Sequence, residues 1–237
     1  MIEVRSLHKR FGEVVAVDDV SFSAGDGVVT GLLGPNGAGK TTTLRMLTTL
    51  ITPDRGEARI DGLPIAENPL EARRRIGVLP DARGLYPRLT AREHIEYAGE
   101  LHGIAAKTLQ PRIESLLDLL DMRAIADRRA DGFSHGERVK VALARALVHE
   151  PRNVMLDEPT NGLDVMSTRA VRELIRQLKD RGKCVLFSSH VMQEVSALCD
   201  RIVIIARGRV LADGTPDEIR ARAGIDDLED AFVRLLQ

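Results

Sequence analysis

The chain has 237 residues, a formal net charge of −1, 43% hydrophobic residues and 29% charged residues. That length and mixture describe a globular chain with room for one large α/β domain, and exclude a disordered segment. The near balance of 34 Lys+Arg against 35 Asp+Glu speaks against a nucleic-acid partner, which calls for a basic excess.

From the N-terminus, Met1-Ile2-Glu3-Val4-Arg5 lacks the charged-then-apolar pattern of a secretion signal. No later apolar run approaches the ~20 residues of a membrane-spanning helix. A cytoplasmic location is therefore expected. Val28 to Leu33 is an apolar, strand-like run ending at Gly34, and Lys40 to Leu50 follows as a helix with Leu44, Leu47 and Ile51 on one face. Further strands are expected at Ile76-Leu79, Val154-Leu156, Cys184-Ser188 and Arg201-Ala206. Helical patterns between most of them predict a mainly parallel sheet covered on both faces. Residues 83–150 break the alternation: Ala91 to Leu101, Thr108 to Leu120 and Glu137 to His149 are successive helical patterns, which predicts a helical lobe inserted into the α/β domain. Thr215, Pro216 and Glu218 mark one more helix start near the C-terminus. Cys184 and Cys199 fit no metal or redox spacing and are expected as small core hydrophobes.

Gly34-Pro35-Asn36-Gly37-Ala38-Gly39-Lys40-Thr41 matches the phosphate-binding loop pattern in full. Its glycines let successive backbone N–H groups turn inward, and the positive end of the following helix adds to that nest. Lys40 is expected at the β- and γ-phosphates, the Thr41 hydroxyl on Mg²⁺, and Thr42 within reach of the phosphate chain. Asn153-Val154-Met155-Leu156-Asp157-Glu158 is an apolar strand ending in two carboxylates at the carboxyl edge of the sheet. Asp157 is expected to hold Mg²⁺, directly or through its water. Glu158 is expected to take a proton from the attacking water or to orient it. Ser134 and Glu137 form a capping-box pattern at a helix start, and such an N-terminus also suits a γ-phosphate.

With these pieces in place, nearly the whole chain resembles the nucleotide-binding subunit of an ATP-binding-cassette (ABC) transporter. Gly34 to Thr41 resembles the family's Walker A loop and Val154 to Glu158 its Walker B strand. Phe133-Ser134-His135-Gly136-Glu137 resembles the family signature, Asn161-Gly162-Leu163-Asp164 the D-loop, and Ser188-Ser189-His190 the switch-histidine segment. The resemblance implies a P-loop NTPase core, residues 1–82 and 151–237, with N-terminal antiparallel strands and a helical signature subdomain over residues 83–150. It also implies a mechanism. Two subunits pack head to tail, each ATP lying between one subunit's phosphate loop and the partner's Ser134 and Gly136. His190 contacts the γ-phosphate or the water in cis, Asp164 braces the facing loop, and Phe11 stacks on adenine. Hydrolysis then breaks the bridge between subunits. A second copy or a similar ATPase subunit, an integral membrane permease, ATP and Mg²⁺ are the implied partners and cofactors, at the inner face of the cell membrane. The segment Leu79 to Tyr86 and the short C-terminal tail resemble the sodium-efflux (Nat-type) export subgroup most.

Three positions depart from the family pattern. Asp81 stands where a metal-contacting Gln is usual, His135 where Gly is common, and Glu137 where Gln is common. Asp81 keeps an oxygen for Mg²⁺ or its water but is a methylene shorter. Residues Gly84 to Thr90 either line the groove that receives a helix of the membrane subunit or plug the base of the helical lobe. A non-transport cassette ATPase and a weakly hydrolysing nucleotide sensor are the rival functions. Glu158 and His190 argue against the sensor.

Overall fold

The chain begins with two long strands, β1 (Ile2–Phe11) and β2 (Val14–Ala24), followed by β3 (Val29–Leu33), α1 (Lys40–Leu47), β4 (Arg55–Ile60), β5 (Leu63–Pro64), α2 (Pro69–Arg74) and β6 (Ile76–Leu79). Three helices then follow one another, α3 (Ala91–Leu101), α4 (Ala106–Leu119) and α5 (His135–Leu147), with two single 3₁₀ turns between the last two. The α/β alternation resumes with β7 (Asn153–Asp157), α6 (Val165–Asp180), β8 (Cys184–Ser189), α7 (Met192–Leu198), β9 (Arg201–Ala206), β10 (Arg209–Gly214), α8 (Pro216–Ala223) and α9 (Leu228–Leu236). This is a computed structural model, and it describes residues 1–80 and 84–237.

Six strands form the central sheet in the order β10-β9-β3-β8-β7-β6. All neighbours are parallel except β9 and β10. The side-chain period of two explains why the inner strands read as unbroken apolar runs. Val154 and Leu156, Val185 and Phe187, and Ile202 and Ile204 face one hydrophobic cluster, which continues into α3, α4 and α5. Met155, Cys184, Leu186, Val203 and Ile205 face the other, shared with α1 and the antiparallel sheet β2-β1-β4-β5. The expected N-terminal antiparallel strands are thus present, and both cysteines are buried and free.

Local chemistry sets most helix ends. Thr90, Ser134 and Thr215 each cap a helix in a full capping box with Glu93, Glu137 and Glu218. The Ser134 box moves the start of α5 back to His135, two residues before the expected Glu137. The helix expected to reach Leu50 stops at Leu47, because Thr49 adopts a left-handed φ of 58° and turns the chain outward. Leu50 is consequently 63% exposed.

Candidate active site

Sheet order places the chemistry. β3, β8 and β7 are neighbours, and Leu33 pairs with Ser189 while Asp157 pairs with Ser188. The loop after β3, the carboxylates ending β7 and the histidine after β8 therefore emerge side by side along one carboxyl edge. Between them opens a cleft of about 520 Å³ lined by residues 14–16, 36–42, Glu158, Asn161 and His190.

The loop itself is held by its own atoms. Gly37 and Gly39 take φ values of 79° and 105°, a region that L side chains avoid. At Gly34 space decides: a Cβ there would lie 2.1 Å from the carbonyl oxygen of Ile205 in β9. Lys40 is buried, and its Nζ donates to the carbonyls of Gly34 at 2.6 Å and Pro35 at 3.2 Å. It also lies 3.8 Å from Glu158 Oε1. Burial pushes the Lys40 ammonium below its ordinary pKa, and the charges of Glu158 and Asp157 pull it back up.

Across the cleft, Thr41 Oγ1 donates to Asp157 Oδ1 at 3.3 Å, and Ser188 Oγ donates to the same oxygen at 2.5 Å. Ser188 also accepts the backbone N–H of Glu158 at 3.1 Å, so one hydroxyl orders both carboxylate residues. Glu158 adopts a φ of 47°, a strained conformation for a residue with a Cβ. Its Oε2 lies 3.0 Å from His190 Nδ1. Thr41 Oγ1 and Asp157 form a hard oxygen set of the kind Mg²⁺ prefers, with room left for phosphate oxygens. Among the described residues no group of three or more His, Cys, Asp or Glu could hold a metal.

Ser134, Gly136 and Asp164 do not line this cleft. They form a second cluster. Ser134 Oγ accepts from Glu137 N–H at 3.2 Å, which leaves its own hydrogen free to donate outward. Asp164 caps α6, accepting from Met166 N–H and Ser167 N–H at 2.9 Å each and from Ser167 Oγ at 2.7 Å. These bonds hold its carboxyl below the usual carboxylate range, the Ser167 N–H contributing most. A Cβ on Gly136 would come within 2.7 Å of Ser167 Oγ, so a larger residue there would displace the hydroxyl that donates to Asp164. His135 Nε2 reaches the Asn161 carbonyl at 3.0 Å and joins the two clusters through the D-loop.

Residues 17–161 match the family model described as ABC transporter. The chain belongs to the ABC transporter ATP-binding family. This ABC ATPase is 44% identical to the ABC transporter ATP-binding protein NatA of Bacillus subtilis, over 100% of this chain and 98% of that one. A solved ATP-binding subunit of an ABC transporter superimposes with a TM-score of 0.93 at 32% identity, covering 100% of both chains. The ATP-binding cassette MJ0796, solved as a dimer in a post-hydrolysis state with ADP and phosphate, gives 0.82 at 25% identity, covering 91% of this chain and 98% of that one.

The cleft also holds residues that the motifs did not announce. Val14 and Val15, both exposed, and Ala16 line it, whereas Phe11 does not. Phe11 is the cross-strand partner of Val14, half exposed, with Lys9 Nζ 5.6 Å from its ring centre. Nothing local distinguishes Val14 or Val15 from an ordinary strand residue. Asp81 lies outside the described residues.

Proposed function

We propose that two copies of this ABC ATPase clamp ATP between the phosphate loop of one and the Ser134 helix end of the other, powering an integral membrane permease. The observation that carries this is the division of the site. Lys40, Thr41, Glu158 and His190 line one cleft, with Asp157 behind them bonded to Thr41, while Ser134 and Gly136 stand outside it with outward donor capacity. A partner in head-to-tail packing supplies the missing donors. That the MJ0796 cassette was solved as a dimer supports pairing of two copies.

In the proposed reaction Lys40 binds the β- and γ-phosphates together with the loop N–H groups. Glu158 orients and deprotonates the attacking water, and His190, 3.0 Å from that carboxylate, keeps it aimed and contacts the γ-phosphate. Mg²⁺, held by Thr41 and Asp157, would neutralise phosphate charge; Asp81 is proposed as a further ligand. Phe11, beside the Val14–Val15 shelf, is proposed to stack on the adenine. Asp164 is proposed to brace the facing loop of the second copy.

A groove of about 910 Å³ lies between the sheet edge and α3 and α5. Leu50, Leu70 and Leu101 are exposed in it, and Gly84, Arg73, Arg74 and Arg145 line it. It is the proposed seat of a permease segment at the inner membrane face. Leu85 packs against the core and Gly84 lines the groove, which supports a part for residues 84–90 in both plug and groove. No helix among the described residues is long and apolar enough to cross a membrane. The Nat-type resemblance and the 44% identity to NatA support Na⁺ export as the proposed transport.

The test is ATP turnover and association state in wild type and Glu158→Gln. Wild type should hydrolyse ATP, and Glu158→Gln should lose roughly 10²–10⁴-fold in kcat while dimerising on ATP, alone or beside its permease. A variant that binds ATP and stays monomeric in both settings would refute the clamp. Co-purification with a permease, and ATP-driven ²²Na⁺ movement in vesicles holding both, test the transport.

A further inference from the structure

Behind the cleft lies a carboxylate that the reaction described above does not use. Glu194, on α7 and four residues past His190, is only 6% exposed. Its two oxygens are divided between two segments of the chain. Oε2 accepts from Ser189 Oγ at 3.0 Å, and Oε1 accepts a short hydrogen bond from Thr160 Oγ1. Thr160 is itself 7% exposed and Ser189 fully buried. Among the described residues no cation stands within ion-pair distance of Glu194.

An acidic residue in the first turn of a helix ordinarily serves that helix, accepting its free N–H groups. Glu194 does not. The N–H of Val191, which precedes α7, donates instead to Ser189 Oγ at 3.0 Å, so the serine serves the helix start and the carboxylate is released for other work. Burying a carboxylate is costly unless its oxygens are satisfied. Among the described residues they are satisfied by two hydroxyls, Thr160 on the loop after β7 and Ser189 where β8 ends and its loop begins.

Those loops carry the reacting pair. Glu158 is two residues before Thr160, and His190 directly follows Ser189. The Glu158–His190 contact closes the pair on the cleft side, and Glu194 closes the same two backbones from behind. Beyond Thr160 the chain continues to Asn161, whose carbonyl meets His135 at the start of α5. The brace therefore also fixes the root of the turn that reaches the Ser134 cluster.

We propose that Glu194 is a positioning residue for ATP hydrolysis, setting the separation of Glu158 and His190 by holding Thr160 and Ser189 together. This rests on the roles given above to Glu158 and His190. Misplacing a reacting group by an ångström costs on the order of a hundredfold in rate, and ATP binding, which the phosphate loop provides, is left alone.

The experiment is steady-state ATP hydrolysis by the full chain carrying Glu194→Gln, Thr160→Val, Ser189→Ala, Thr160→Ser or the double change Thr160→Val with Glu194→Gln. Melting curves establish which variants are folded. Glu194→Gln and Thr160→Val should lower kcat roughly 10- to 100-fold with KM for ATP within about threefold of wild type. Thr160→Ser keeps the donor and should retain activity. The double variant should be no slower than the worse single one, because both remove one interaction. If Glu194→Gln does not fold, Thr160→Val and Ser189→Ala carry the test, since each leaves the carboxylate one donor. Wild-type kcat in folded Thr160→Val and Ser189→Ala would overturn the proposal. So would Thr160→Ser as slow as Thr160→Val, or KM rising in step with the loss of kcat. Glu158→Gln separates the two readings. If it hydrolyses at the wild-type rate the site assignment itself fails; if it is inactive and the brace variants are normal, only the role of Glu194 fails.

Discussion

Acidification should loosen this protein at the seam between α3 and α5, through a pair of stacked histidines. The rings of His102 and His149 lie 3.7 Å apart and 6° from parallel. His149 Nε2 meets the carbonyl of Ile76 at 2.9 Å; a carbonyl only accepts, so Nε2 carries the hydrogen and Nδ1 is the site left to protonate. That Nδ1 is buried and has no hydrogen-bond partner among the described residues. Burial, followed by the neighbouring His102, pushes His149 down to about 4 from 6.5, and Arg112 and Lys183 add like charge. Burial and then Arg74 also lower His102. Between those two values the unfolded chain takes up a proton that the folded chain refuses. The stabilisation is therefore fully present above 6.5 and is lost as pH falls toward 4. From about pH 7 to about pH 5 the linkage is worth about 2 kcal/mol at full strength, and the open groove beside the rings screens it to ~1 kcal/mol. Urea unfolding at both pH values and constant ionic strength, on wild type and His149→Gln, reads the difference. Wild type should lose ~1 kcal/mol more than the variant on acidification. Carboxylates shared by both proteins cancel in the comparison. Equal losses in the two proteins, or a smaller loss in wild type, would refute the reasoning.

Gly34→Ala should disable the phosphate loop by contact rather than by backbone preference, since its Cβ would stand 2.1 Å from the Ile205 carbonyl oxygen. A destabilisation of ~1–3 kcal/mol by thermal unfolding and at least about tenfold weaker ATP binding are expected; an unchanged melting point would sink the steric account. Ser134→Ala removes the α5 cap and should cost about 1 kcal/mol while leaving ATP affinity of the single chain intact, with ATP-driven pairing and turnover reduced. Chelation with EDTA should abolish turnover and added Mg²⁺ should restore it, with Thr41→Ala needing more metal than wild type. Undiminished hydrolysis in EDTA would exclude the Thr41–Asp157 ion site.

Much of the site was legible because its chemistry is local. A glycine loop between strand and helix, an apolar strand ending in Asp157 and Glu158, and Ser134 three residues before Glu137 all declare themselves within a few positions. The same holds for the Thr215 cap and for β6 at Ile76–Leu79, which lies where its apolar run predicts. Departures were local too: one left-handed residue, Thr49, ends α1 three residues before the expected Leu50. Phe11 stood out as an isolated aromatic, yet Val14 across the hairpin faces the cleft, and nothing in an alternating strand marks which end of it meets a ligand.

Sequence alone determined which groups this ABC ATPase possesses: the glycine-rich loop after β3, the terminal carboxylates of β7, the histidine after β8 and the capped helix at Ser134. Tertiary structure decided their partners. Ser188 shares Asp157 because β7 and β8 are adjacent in register; His190 meets Glu158 across 32 residues; Glu194 joins Thr160 to Ser189 behind them. Motifs are legible along the chain because caps and nests involve neighbours within one turn. Parallel strands bring together residues separated by whole helices, and their register is set by packing against two hydrophobic clusters rather than by any short pattern.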